Sequence, residues 1–181
     1  LPQPGVLADG QYRQPFFGIG FPTEGWELAE RNEMGLSAFG IRNYASYTVE
    51  DLLTAHVPYL EVMMNQGNTM VEFMLEKPPV SSSDGSVSNT PAEYMDADAR
   101  NLPADYEGIG GSVTSDERFQ TELCSLTFEG YRLSVSLGSE KVFSTMLCTE
   151  KDGVFFTIVI TCTGEDKSEE ILTAFFPLPE E

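Results

Sequence analysis

The sequence predicts an α+β domain, and three observations carry that prediction. Residues 142–163 hold two β-rich runs joined by Lys151-Asp152-Gly153, and an Asp-Gly pair between such runs marks a tight hairpin because glycine accepts the positive φ the turn needs. Tyr131, Leu133, Val135 and Leu137 alternate with polar residues, the period of a half-buried strand. Thr90-Pro91-Ala92-Glu93 places a capping hydroxyl, a proline at the first helical position and a glutamate at the third, which opens a helix.

Composition sets outer bounds. The chain has 181 residues, a length that suits one domain and buries about 70% of the unfolded surface without disulfide or metal staples. The formal net charge is −19, and the ten Lys and Arg residues are scattered without a basic stripe. Phosphate-backbone recognition needs such a stripe, so nucleic acid and anionic lipid headgroups are excluded as partners. No run approaches the ~18 apolar residues of a membrane span. The chain opens on Leu1 rather than Met, which leads to the expectation of a processed or removed N-terminal piece, a signal peptide among the candidates. Cys124, Cys148 and Cys162 all fall on apolar faces of expected strands and read as small buried hydrophobes, with one disulfide and one spare thiol as the alternative.

In chain order, residues 1–11 are rich in Pro and Gly and are expected to form a loose leader to a single domain spanning 12–181. Phe17, Ile19 and Phe21 share one face of a strand. Pro22 and Gly25 make a turn, Trp26 to Ala29 a short strand or helix entry, and Ala29 to Met34 one or two helical turns. Residues 35–46 are poorly patterned. Thr48 caps a helix whose first turn holds Glu50 and Asp51, and Pro58 stops it. Two strands, 59–64 and 69–76, flank a turn at 65–68, with Val71, Phe73 and Leu75 toward the core and Met70, Glu72, Met74 and Glu76 opposite. Residues 77–89 are Pro, Ser, Gly and Asp and read as a flexible loop. The helix opened by Thr90 is expected to end near Pro103. A strand at 119–128 then leads to a turn at Glu129-Gly130. The strand at 154–163 is apolar on both faces, which places it in the middle of a sheet, and a helix at 168–176 closes the chain before Pro177.

This order of pieces resembles the PsbP-like, Mog-type domains of secreted bacterial lipoproteins. The resemblance covers roughly 12–176. It rests on Tyr12, Phe17, Gly18 and Ile19, on the turn Pro22, Gly25, Trp26, on Phe128 to Tyr131, on Lys151 to Gly153 and on the helix at Glu169 to Leu172. It implies an antiparallel sheet of about six strands flanked by helices, and it implies export, with a lipid-carrying cysteine upstream of Leu1 as the only tie to a membrane. It offers no catalytic constellation to carry over.

Candidate residues are few. His56 stands alone near a helix end and reads as a surface residue. Asp96, Asp98, Asp105 and Glu107 offer carboxylates, but a Ca²⁺ loop needs them at fixed spacing around a glycine, and Arg100 intrudes, so a solvated helix face is expected. Gly18, Gly20 and Gly25 have the wrong spacing for a phosphate loop, and Ser81 to Ser83 lack a nucleophile elbow. Trp26 with Tyr12, Phe16, Phe17 and Phe21 could stack on a ligand but reads as core. Met63, Met64, Met70 and Met74 could form an adaptable surface.

The expectation is a non-enzymatic, exported, monomeric domain that binds a protein or small molecule, with no catalytic, metal or cofactor residues. A hydrolase using scattered carboxylates and a purely structural accessory domain are the alternatives. A deep pocket holding two or more carboxylates would favour the enzyme, and a shallow groove or exposed aromatic patch would favour binding.

Overall fold

The computed structural model describes residues 1–180. The chain begins with three short strands, β1 (Val6–Ala8), β2 (Gln11–Gln14) and β3 (Ile19–Pro22), followed by β4 (Glu27–Leu28) and helix α1 (Arg31–Phe39). A 3-10 turn (Tyr44–Ser46) and α2 (Val49–Thr54) lead to the hairpin β5 (Tyr59–Gln66) and β6 (Thr69–Glu76). A small ribbon, β7 (Val80–Ser81) and β8 (Val87–Ser88), precedes α3 (Pro91–Gly108). Four long strands follow: β9 (Ser112–Leu123), β10 (Leu126–Leu137), β11 (Glu140–Lys151) and β12 (Val154–Thr163). The chain closes with α4 (Ser168–Leu172) and β13 (Phe176–Pro177).

The large sheet is antiparallel with order β4-β5-β6-β12-β11-β10-β9. Strand β12 lies between β6 and β11, as its two apolar faces require. Phe156, Ile158, Ile160 and Cys162 point to one face and join Val71, Phe73 and Leu75 of β6 in the main core. The small sheet, order β1-β2-β3-β13, covers that face together with α1, α2 and α4. Phe155 and Val159 point the other way, where Met95, Leu102 and Tyr106 of α3 pack over Tyr131, Leu133 and Val135 of β10. The molecule is therefore a layered α+β sandwich, one layer a helix and the other a sheet with three short helices.

Local signals account for most element starts. Thr48 Oγ1 accepts from Asp51 N at 3.1 Å while Asp51 Oδ2 accepts from Thr48 N at 2.9 Å, a reciprocal cap on α2. Thr90 Oγ1 accepts from Glu93 N at 3.2 Å at the start of α3. The β11–β12 turn has Asp152 and Gly153 at φ 48° and 77°.

The large sheet has seven strands, in keeping with the six or so expected. Several other expectations are corrected. Part of the expected loose leader is ordered: Asp9 and Gly10 turn at φ 54° and 72°, and β1 pairs with β2. Helix α1 extends into the poorly patterned stretch and ends where Gly40 adopts φ 69°. Loop 77–89 carries the β7–β8 ribbon, held by Asp84 and Arg100. Helix α3 runs through Pro103 to Gly108, because packing of Leu102 and Tyr106 on the sheet offsets the lost hydrogen bond, which costs about 3 kcal/mol. The last helix stops at Leu172. Phe176 and Pro177 pair instead with Gly20 and Ile19 at a sheet edge, where a missing N–H is tolerated.

The turn expected at Glu129-Gly130 lies elsewhere. Cys124 and Ser125 make it, at φ 53° and 65°, and Gly130 sits inside β10. A Cβ on Gly130 would stand 2.5 Å from the Phe119 ring and 2.8 Å from a Leu147 methyl, so this glycine serves close packing rather than a turn. Cys124 is consequently in a turn and half-buried, not on a strand face. Cys148 and Cys162 are buried in strands as expected, on opposite faces of the sheet, and all three thiols are free.

Candidate functional site

A half-enclosed cleft of about 320 Å³ opens on the α3 side of the large sheet. Its floor is the end of β6, where alternation carries Glu76 away from the aromatic core and toward α3. One wall is α3, which presents Tyr94, Asp98, Asn101, Leu102 and Asp105, residues spaced to share one helical face. The opposite wall is the ribbon segment with Val80 and Ser81 to Ser83, and the rim holds His56 and Lys77. The ribbon is fixed to α3: Asp84 accepts from Ser86 N at 2.9 Å and from Arg100 Nε at 3.3 Å, and Arg100 Nη2 reaches Ser86 Oγ at 3.1 Å. These bonds hold the Asp84 carboxyl down at about 2, the Ser86 hydroxyl contributing most.

The electrostatics of the cleft follow from burial. Glu76 is 4% exposed, and desolvation pushes its carboxyl up to about 7 against the opposing pull of the Thr157 and Tyr94 hydroxyls. Tyr94 Oη donates to this carboxylate, 2.9 Å from Oε1 and 3.1 Å from Oε2, while its ring stacks on Phe155 at 6.1 Å. Asp98 is likewise pushed to about 7, first by burial and then by the nearby Glu76 charge. Neither carboxyl is ion-paired among the described residues. Two neighbouring carboxyls pushed to about 7 are each roughly half-protonated at pH 7, and a cation entering the cleft would displace those protons.

The other sequence candidates disperse. Asp96 turns to the far side of α3 and pairs with Arg118 Nε at 2.8 Å, whereas Asp98 and Asp105 line the cleft and Glu107 is exposed. The four acids thus form no Ca²⁺ loop, and no gathering of three or more potential metal ligands occurs among the described residues. His56 lies just beyond α2 at φ 55°, with Nδ1 3.1 Å from the Lys77 carbonyl, and is bonded to neither a serine nor a cysteine. Burial pushes the Cys148 thiol well up, aided by the Glu76 charge, and raises Cys124 as well, so neither is a ready thiolate.

Tyr12, Phe17 and Phe21 are core, while Phe16 and Trp26 are partly buried against it. The methionines separate: Met64 is in the core, and Met63, Met70 and Met74 are half-buried. Sequence reasoning had singled out Asp98 but not its partner Glu76. The signal was an acidic residue at the end of an apolar β-run, on the face shared by Met70, Glu72 and Met74, and only the fold shows that α3 lies across it.

Fold and cleft together define a class: a layered α+β sandwich with a cleft on its helical face whose two buried acids are not ion-paired among the described residues. No family model matches this chain, and no curated protein sequence matches it. Among solved structures, the chain is similar to the solution structure of the cyanobacterial PsbP protein, CyanoP, from Synechocystis sp. PCC 6803, with a TM-score of 0.50 and 11% identity over 98% of each chain. That likeness establishes a PsbP-like fold.

Proposed function

We propose that the chain is a non-enzymatic binding domain whose partner, a protein or small molecule, presents a basic group to the cleft between α3 and the β7–β8 ribbon. The observation that carries this reading is the pairing of Glu76 and Asp98 in one half-enclosed space with no protein cation bonded to either. A lysine or arginine side chain fits the volume, and the net charge of −19 attracts cationic partners over long range. The PsbP-like fold supports an accessory rather than catalytic role and, with the sequence resemblance, export to the cell surface.

The test is calorimetric titration with N-acetyl-lysine methylamide, the norleucine analogue as neutral control, in two buffers of different ionisation enthalpy. Binding of the lysine compound alone is expected, with proton release at pH 7 and at least tenfold weakening in Asp98→Asn. Equal binding of both compounds, or of neither, refutes the reading. The precursor sequence tests export: a lipid-modified cysteine after a signal peptide supports it, and a plain cytoplasmic start ends it.

A second reading rests on the same carboxyls. Groups that exchange protons near pH 7 suit general acid–base work, and two of them in one pocket are what a hydrolase would need. Against it, both oxygens of Glu76 are within reach of the Tyr94 hydroxyl, and His56 is turned to a carbonyl. Turnover of chromogenic ester or glycoside substrates that Glu76→Gln abolishes would favour the enzyme.

A further inference from the structure

A second cavity, of about 290 Å³, lies where the edges of the two sheets face each other. Residues around β1 form one side, with Gly5 and Leu7, and residues of β4 and β5 the other, with Leu28 and Met63. β1 and β4 are the outermost strands of their sheets. The lining is mostly apolar, yet Leu7 and Leu28 at its mouth remain 47% and 42% exposed. Hydrophobic side chains of this size, left open around a concavity, mark a surface that something apolar can cover.

One charge in this lining is held in place and incompletely satisfied. The Arg31 guanidinium lies over the Tyr59 ring at 4.3 Å and the Tyr44 ring at 5.1 Å, and its Nη1 donates to the Leu60 carbonyl at 2.6 Å. Its Nη2 is buried with no hydrogen-bond partner. A buried donor without an acceptor costs about 1–3 kcal/mol, more when charged, so an acceptor reaching it is favoured. Glu61 lines the same cavity but is not that acceptor: Oε2 takes the Gly5 N–H at 2.8 Å and Oε1 takes Gln14 Nε2 at 2.7 Å. No carboxylate is ion-paired with this guanidinium among the described residues, and a planar cation beside an apolar wall matches a carboxylate carrying a hydrocarbon chain.

We propose that this cavity binds a small apolar monocarboxylate, with its carboxylate on the Arg31 guanidinium and its chain along Leu7, Leu28 and Met63. The volume falls just below the roughly 300–1,000 Å³ usual for ligand pockets, which fits a medium-length chain rather than a long lipid. The site is separate from the acidic cleft, so Asp98→Asn should leave it unchanged.

The experiment is an amide-resolved NMR titration of the whole chain with sodium decanoate below its micelle concentration, alongside decanol and acetate. Decanoate is expected to shift the amides of Gly5, Leu28, Ala29 and Arg31 and to bind at least tenfold more tightly than decanol, with acetate inert. Arg31→Met should remove that preference, making the acid and the alcohol equal. Should Arg31→Met fail to fold, Leu28→Asp, which sets a carboxylate at the exposed mouth, should weaken decanoate tenfold and decanol much less. Equal binding of acid and alcohol to the unaltered protein, shifts scattered away from these residues, or no binding of decanoate would each overturn the proposal.

Discussion

The two faces of the large sheet bury their side chains by different chemistry. On the sheet-covered face Phe73 packs against Tyr12, Phe21, Phe156 and Phe175, with centroids 5.1 to 5.9 Å apart, and the interior there is aromatic. On the helix-covered face Phe155 stacks on Tyr94, but Glu76, Thr157 and Cys148 are buried around them and Asp98 faces them from α3. Hydrocarbon in those positions would have stabilised the layer at no desolvation cost. Buried acids with raised protonation cluster at functional sites more than elsewhere, and this is the ground on which the cleft is proposed as one.

The largest effect should come from the aromatic face. Phe73→Ala removes a fully buried ring and is expected to cost about 3–5 kcal/mol, read as a fall in the denaturant midpoint. A loss under about 1 kcal/mol would mean that the two faces do not differ as described.

Next comes pH. The Glu76 and Asp98 carboxyls titrate higher folded than unfolded, so between about pH 4.5 and 7 the native state holds more protons than the unfolded chain. Their contribution is therefore full at low pH and lost as pH rises through 7. Stability should fall from pH 5 to pH 8, by on the order of 3 kcal/mol at most for one such group. Glu76→Gln should flatten the profile and lower the Asp98 titration midpoint, read by carboxyl-carbon NMR. Glu61, also pushed to about 7 by burial, adds to the same fall from the sheet edge, and Glu61→Gln should remove only its own share.

Gly130→Ala presses a methyl against Phe119 and Leu147 and should cost about 1–3 kcal/mol, since overpacked interiors resist small additions. If it proves neutral, that part of the sheet is looser than the aromatic centre. The smallest change is Thr48→Ala, which breaks the α2 cap and should cost about 1 kcal/mol without altering the pH profile.

What could be read in advance divides along physical lines. Strand β12 was legible to its ends because Asp152-Gly153 and a long two-faced apolar run are local signals. The helix starts at Thr48 and Thr90 were legible for the same reason. The β9–β10 turn was not, because Cys124 and Ser125 adopt positive φ without the usual residues, while Gly130 imitates a turn for the sake of Phe119. The full reach of α3 past Pro103 depended on tertiary packing. Among the cleft residues Asp98 could be flagged from its neighbours in sequence. Its pairing with Glu76 could not, since the approach of α3 to the end of β6 is a property of the assembled layers.

The first strands of the chain and its last, β13, are stitched into one small sheet on the aromatic side, with Phe176 opposite Gly20. The acidic cleft opens through the other side, beneath α3. A tether or bead joined to either terminal segment would therefore sit behind the molecule and leave the cleft looking outward. Attachment at one end or the other should make no difference to what the cleft can reach.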